Sequence, residues 1–139
     1  MLPLRHERLW LIASLVLLLV VLAAALVPSV WFWNDKVRVL SWFDNFDKWL
    51  HAITFLVLAI WFAGQHGKHA YWRIAVGLLL FGLMIELCQF MVSYRSASLA
   101  DFGANTAGII TGLAVAAAGL GGWSLRVEDW FAARNIGIG

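Results

Sequence analysis

Asp47, His51, Glu86, Gln89, Arg95, Asp101 and Asn105 are the residues of this chain whose types and spacing suit chemistry. Carboxylates and an imidazole act as general acids, bases and proton shuttles. A guanidinium grips anionic headgroups, and carboxamides orient what it grips. In a helix turning 100° per residue, Asp47 and His51 lie about 40° apart, with Thr54 close by, and Glu86 and Gln89 about 60° apart. Asp101, Asn105, Gly108 and Gly112 fall within a stripe about 40° wide, polar at one end and small below. Small residues four apart let two helices approach closely, so Gly108 and Gly112 are expected to serve helix packing and to turn Asp101 and Asn105 inward.

The elements that position these residues are apolar. The chain has 139 residues, 63% hydrophobic and 13% charged, with a mean hydropathy of +0.82. Soluble domains run nearer 25% charged, so the solvent expected around this surface is lipid. A transmembrane helix needs about 20 apolar residues. The sequence predicts an all-α, integral membrane four-helix bundle with short loops, a single domain over 1–139. Its spans run about 9–27, 47–63, 74–92 and 99–120. The first has Ser14 as its only polar side chain, and a cleaved signal peptide is the rival reading, although signal cores are shorter, about 7–15 residues. Asp44 is a candidate N-cap for the second. Aromatics mixed with charges over 28–48 suit the membrane interface. Residues 64–73 read as a polar turn, and 123–139 as a tail lying along the interface.

Alternating spans put the polar set at one end. Asp47 and His51 open the second helix, Glu86 and Gln89 close the third, Arg95 and Ser98 lie in the loop, and Asp101 and Asn105 open the fourth. Glu86 is six residues from Val92, about 9 Å below the exit of its helix at 1.5 Å per residue. A central carboxylate costs about 2.5–3.5 kcal/mol on insertion scales, so function is the default reading for Glu86. The others carry ordinary alternatives. Ser98-Leu99-Ala100-Asp101 matches a capping box; Asn105 and Gln89 suit interhelical hydrogen bonds; Asp47 and Lys48 suit a wet boundary; His51 suits an interfacial histidine and Arg95 a loop cation.

Charge excludes other classes. Ten Lys/Arg against eight Asp/Glu gives a formal charge of +2, spread along the chain, without the clustered basic patch that nucleic acid requires. Cys88 is alone and lies in an apolar run, so no disulfide framework exists. His66 and His69 read as solvated turn residues. A metal bound by His51 with the carboxylates is conceivable, but no motif carries metal-ligand spacing, so neither a metal nor a cofactor is expected. With the first residue inside, the inner segments hold Arg5, Arg8, Lys68, Arg73, Arg126 and Arg134, and the outer ones hold Lys36, Arg38, Lys48 and Arg95. That bias places both termini in the cytoplasm and the polar set at the outer face.

Asp47-Lys48-x-x-His51, then Glu86-x-x-Gln89, then Arg95-x-x-Ser98-x-x-Asp101-x-x-x-Asn105-x-x-Gly108-x-x-x-Gly112 resembles the VanZ-like family of bacterial membrane proteins. The resemblance spans about residues 47–113. It implies a multi-pass protein of the bacterial cytoplasmic membrane and brings no settled reaction; the family's name-giving member is associated with teicoplanin resistance. Two functions are therefore expected as alternatives. One is a binding protein whose polar pocket takes an amphiphile, such as a lipid-linked cell-wall precursor or a lipoglycopeptide, among membrane lipids. Arg95, Gln89, Asn105, Ser98 and Lys48 would hold the headgroup. The other is a membrane enzyme acting on a lipid headgroup, with Glu86 and Asp101 as general acid or base and His51, oriented by Asp47, as shuttle. A purely structural bundle is the third possibility.

Overall fold

The computed structural model describes the backbone of residues 2–26, 43–92 and 99–136, and the side chains of 2–26, 48–91 and 99–134. Arg95, Ser98, the side chains of Asp44 and Asp47, and the aromatic segment 28–42 lie outside the described residues. The described chain is all-helical: α1 Glu7–Leu26, α2 Phe43–Gln65, α3 Tyr71–Val92, α4 Leu99–Val115 and α5 Trp123–Ile136. A 3-10 turn, Lys68–Ala70, precedes α3, and a π turn, Ala116–Leu120, extends α4. Four segments are long and apolar enough to cross a membrane: Glu7–Leu26, Lys48–Gln65, Lys68–Met91 and Leu99–Leu120.

The distribution of side chains is inverted relative to a water-soluble bundle. Leu15, Leu19, Trp49, Leu80, Leu87 and Ile110 face outward. Ser14, Gln65, Glu86, Gln89, Asp101 and Asn105 are buried. In hydrocarbon, apolar surface is welcome outside, while polar groups must find partners within. A compact apolar core of Phe55, Leu58, Ala59, Ile85 and Ile109 fills the middle.

The tightest packing is between α2 and α4, and its cause is the glycine stripe. A Cβ on Gly108 would stand 2.2 Å from the Ala52 carbonyl oxygen, and one on Gly112 would stand 2.6 Å from that of Leu56. Backbone meets backbone there, which only glycine allows.

The segment expected to form a polar turn over 64–73 is shorter. The α2 helix runs on to Gln65, because the Gln65 amide is paired inside the bundle: its Nε2 donates to Ser14 Oγ at 3.0 Å. Trp61 Nε1 donates to the same hydroxyl at 2.9 Å. The 3-10 turn then leads directly into α3, which starts at Tyr71 rather than near Ile74.

The segment after Gly121-Gly122 is the helix α5, folded back against the ends of α1 and α2. Gly122 takes φ 69°, the left-handed region that glycine favours. Ser124 Oγ donates to the Gly64 carbonyl at 2.6 Å and Trp123 Nε1 to that of Ile60 at 3.2 Å. Gly64 makes the approach possible, since a Cβ there would lie 2.0 Å from the Trp123 ring. Trp10, Trp61 and Trp123 form a triad with centroids 5.3–5.7 Å apart.

Candidate functional site

Three spans deliver one polar side chain each to the same place. His51 comes from α2, Glu86 from α3 and Asp101 from the first turn of α4, and one ligand-type atom from each lies within 4.8 Å of the other two. Glu86 and Asp101 are buried and His51 is half-buried. Asn105, fully buried one turn below Asp101, places Oδ1 3.0 Å from His51 Nδ1. With the carboxamide oxygen as acceptor, Nδ1 carries the ring proton and the lone pair sits on Nε2. Asn105 Nδ2 is buried and has no hydrogen-bond partner among the described residues.

The local sequence explains the convergence. Gly108 and Gly112 draw α4 onto the turns of α2 that carry His51 and Phe55. On α3, Gly82 lies one turn below Glu86, and a Cβ there would reach Asn105 Nδ2 and Phe55 Cζ at 3.1 Å each. Glycine at that position makes room for the carboxamide that holds the imidazole. Asp101 lies in the opening turn of α4, where free backbone N–H groups favour a carboxylate.

The polar residues picked from sequence thus divide. His51, Glu86, Asp101 and Asn105 come together. Gln89 turns away: its Nε2 donates to the Ala25 carbonyl of α1 at 2.9 Å, tying the closing turns of α1 and α3. Lys48 lies one turn before His51 and is half-buried. The Asp47 side chain, Arg95 and Ser98 lie outside the described residues. His66, in the turn at the other end, places Nδ1 2.9 Å from the Phe62 carbonyl oxygen, and His69 is exposed.

A metal held by His51 with the carboxylates is conceivable from the sequence, but no ligand spacing in it supports one. The three members come from three helices, and motif spacing reports only ligands that share one element. Such a set can relay protons between imidazole and carboxylates, or share a cation.

The other end of the molecule holds a third buried carboxylate, which sequence reasoning passed over. Glu128 of α5 accepts hydrogen bonds from the Arg5 N–H at 2.7 Å, the His6 N–H at 3.1 Å and Trp10 Nε1–H at 2.9 Å. His6 Nδ1 lies 3.5 Å from the same carboxylate. Burial pushes the Glu128 carboxyl up, but the three donors and the His6 charge outweigh it and hold it below 4.5. Glu128 therefore caps the start of α1 from across the fold. A lone Glu in a charged amphipathic helix gives no sign of this in the sequence.

A family model described as VanZ/LLP1 matches residues 6–120, well over half of the chain. No curated protein and no solved structure matches it.

Proposed function

The chain belongs to the VanZ/LLP1 family, and from that premise we propose that it is a cell-envelope protein of the bacterial cytoplasmic membrane whose buried polar cluster receives the headgroup of an amphiphile. The observation that carries this reading is the meeting of His51, Glu86 and Asp101, with Asn105 behind them, at one end of a bundle whose outer surface is apolar. An intramembrane carboxylate is costly and by default functional; here two lie within 4.8 Å. The Lys/Arg bias of the short segments, six against four, supports reading this end as the one at the outer leaflet. Lipid-linked wall precursors and the acylated glycopeptides that seek them are amphiphiles presented at that face. In this reading the protein contributes to resistance against a lipoglycopeptide such as teicoplanin, and Arg95 and Lys48 supply cations for an anionic headgroup.

A second reading, an enzyme acting on such a headgroup, is favoured by the His51–Asn105 hydrogen bond. An imidazole with one nitrogen fixed and two carboxylates beside it is arranged for proton transfer, which contributes about 10²–10⁴-fold to a rate.

Expression-matched variants in a susceptible host separate these readings. The parent should protect against teicoplanin and much less against an acyl-free glycopeptide. For a binding pocket, Arg95→Ala should lower the inhibitory concentration to that of the empty vector, while Glu86→Gln and Asp101→Asn keep much of the protection. For an enzyme, Glu86→Gln and Asp101→Asn should abolish protection at unchanged protein level. A parent that protects against neither drug would remove the resistance reading for this chain.

A further inference from the structure

We infer that His51, Glu86 and Asp101 bind one divalent transition-metal ion, Zn²⁺ or Mn²⁺, in the polar end of the bundle. A ring nitrogen of His51 and one carboxylate oxygen each of Glu86 and Asp101, brought together from three helices, all lie within 4.8 Å of one another. The donor set selects the kind of ion: imidazole nitrogen suits zinc and its neighbours, carboxylate oxygen suits manganese as well, and Ca²⁺ and Mg²⁺ prefer all-oxygen sites.

Geometry permits it. Zinc ligands stand about 2.0–2.2 Å from the metal, so paired ligand atoms lie roughly 3.5 Å apart around a tetrahedral ion. The three atoms here all lie within 4.8 Å and need draw in by at most about 1.3 Å, a movement that rotation about Glu and His side-chain bonds supplies. Metal-bound histidines usually give their other ring N–H to an acceptor that fixes tautomer and orientation. Asn105 Oδ1 is such an acceptor, 3.0 Å from Nδ1, and ligation through Nε2 preserves that bond. Three protein ligands leave a coordination position open, as in metal sites that take water or substrate. The ion rests on this geometry alone; that its open position faces an anionic headgroup oxygen rests on the headgroup reading above.

The test uses the full chain purified in detergent with any affinity tag removed, stripped with a chelator and offered ZnSO₄ or MnCl₂ alone. After dialysis, elemental analysis should find one ion per chain, and the ion should raise the unfolding temperature. Co²⁺ in its place should give visible d–d absorption. His51→Ala, Glu86→Gln and Asp101→Asn should each weaken binding by at least about 10–100-fold, the loss that removal of even an outer partner produces. Asn105→Ala should fall within that range. His66→Ala with His69→Ala, at the opposite end, should leave stoichiometry and spectrum unchanged.

A folded parent that keeps no ion and shows no Co²⁺ spectrum overturns the inference. So does uptake that survives Glu86→Gln and Asp101→Asn, or uptake that vanishes with the two distant histidines. Should a variant fail to fold, the Co²⁺ spectrum of the parent decides. Protection that is lost in Arg95→Ala while the parent binds no ion would sink the metal and spare the headgroup site; a bound ion with full protection in Arg95→Ala, Glu86→Gln and Asp101→Asn alike would do the reverse.

Discussion

Glu128 is held by the backbone amides at the start of another helix and by the Trp10 indole, donors that stabilise its negative charge. Its carboxyl is held below the usual carboxylate range in the folded protein by those donors and the His6 charge. A depressed acid contributes stability that is present above the unfolded value and is lost as pH falls through the folded one. Unfolding measured in detergent should therefore show falling stability as pH drops below about 4.5. Glu128→Gln keeps the shape and removes the charge; it should cost about 1–3 kcal/mol at neutral pH and flatten that acid limb. An unchanged limb in the variant would mean that another group sets it. The buried carboxylates of the opposite end were legible beforehand, because a Glu deep in an apolar run announces its own cost. Glu128 was not, since it lies in a helix whose charges look like a solvated face, and its partners are more than a hundred positions away.

At the scale of elements, the Gly108 and Gly112 stripe decides where His51 stands relative to Asp101. Adding one methyl at Gly108 would bring it 2.2 Å from a backbone oxygen, which no rotamer change relieves. Gly108→Ala should push α2 and α4 apart, cost about 1–3 kcal/mol as overpacking does, and weaken whatever the His51–Asp101 pair binds. Gly103 lies on the same helix with nothing among the described residues within 4 Å of a Cβ. Gly103→Ala should be neutral or stabilise by up to about 1 kcal/mol through helix propensity. Chemical unfolding of the two variants side by side checks this, and equal effects would show that the stripe is not the contact that matters. The period of the stripe was readable from sequence. Which helix it meets was not, because spacing along one helix carries no information about its neighbour. The closing turns of α3 show the same limit: Glu86 and Gln89 lie about 60° apart around the axis, yet one joins the cluster and the other bonds α1.

Over the whole molecule, the two ends do different work. One gathers titratable side chains from three spans; the other is closed by the tryptophan triad, the Ser14–Gln65 pair and α5. Trp123→Ala would leave a void against Gly64 and break two ring contacts of the triad, and should destabilise by about 3 kcal/mol, the low end of tryptophan truncations. Ion uptake by the fraction that remains folded should be unchanged, because the cluster lies at the far end; elemental analysis of the monodisperse peak tests that separation. The four spans and the shared end of the polar residues followed from hydropathy and the alternation of helix direction. The docking of α5 did not, since bonds to backbone carbonyls, a glycine gap, the Glu128 clasp and a single tryptophan of the triad leave no hydrophobic period to read.

The clasp between Glu128 and the start of α1 also has a consequence in time. Arg5 and Glu128 are 123 positions apart, an interval a ribosome covers in about 6–25 s at about 5–20 residues per second. For that interval the amides at the start of α1 must be satisfied by water or headgroups. The clasp is made only when α5 leaves the ribosome, so the start of α1 is locked long after it is synthesised.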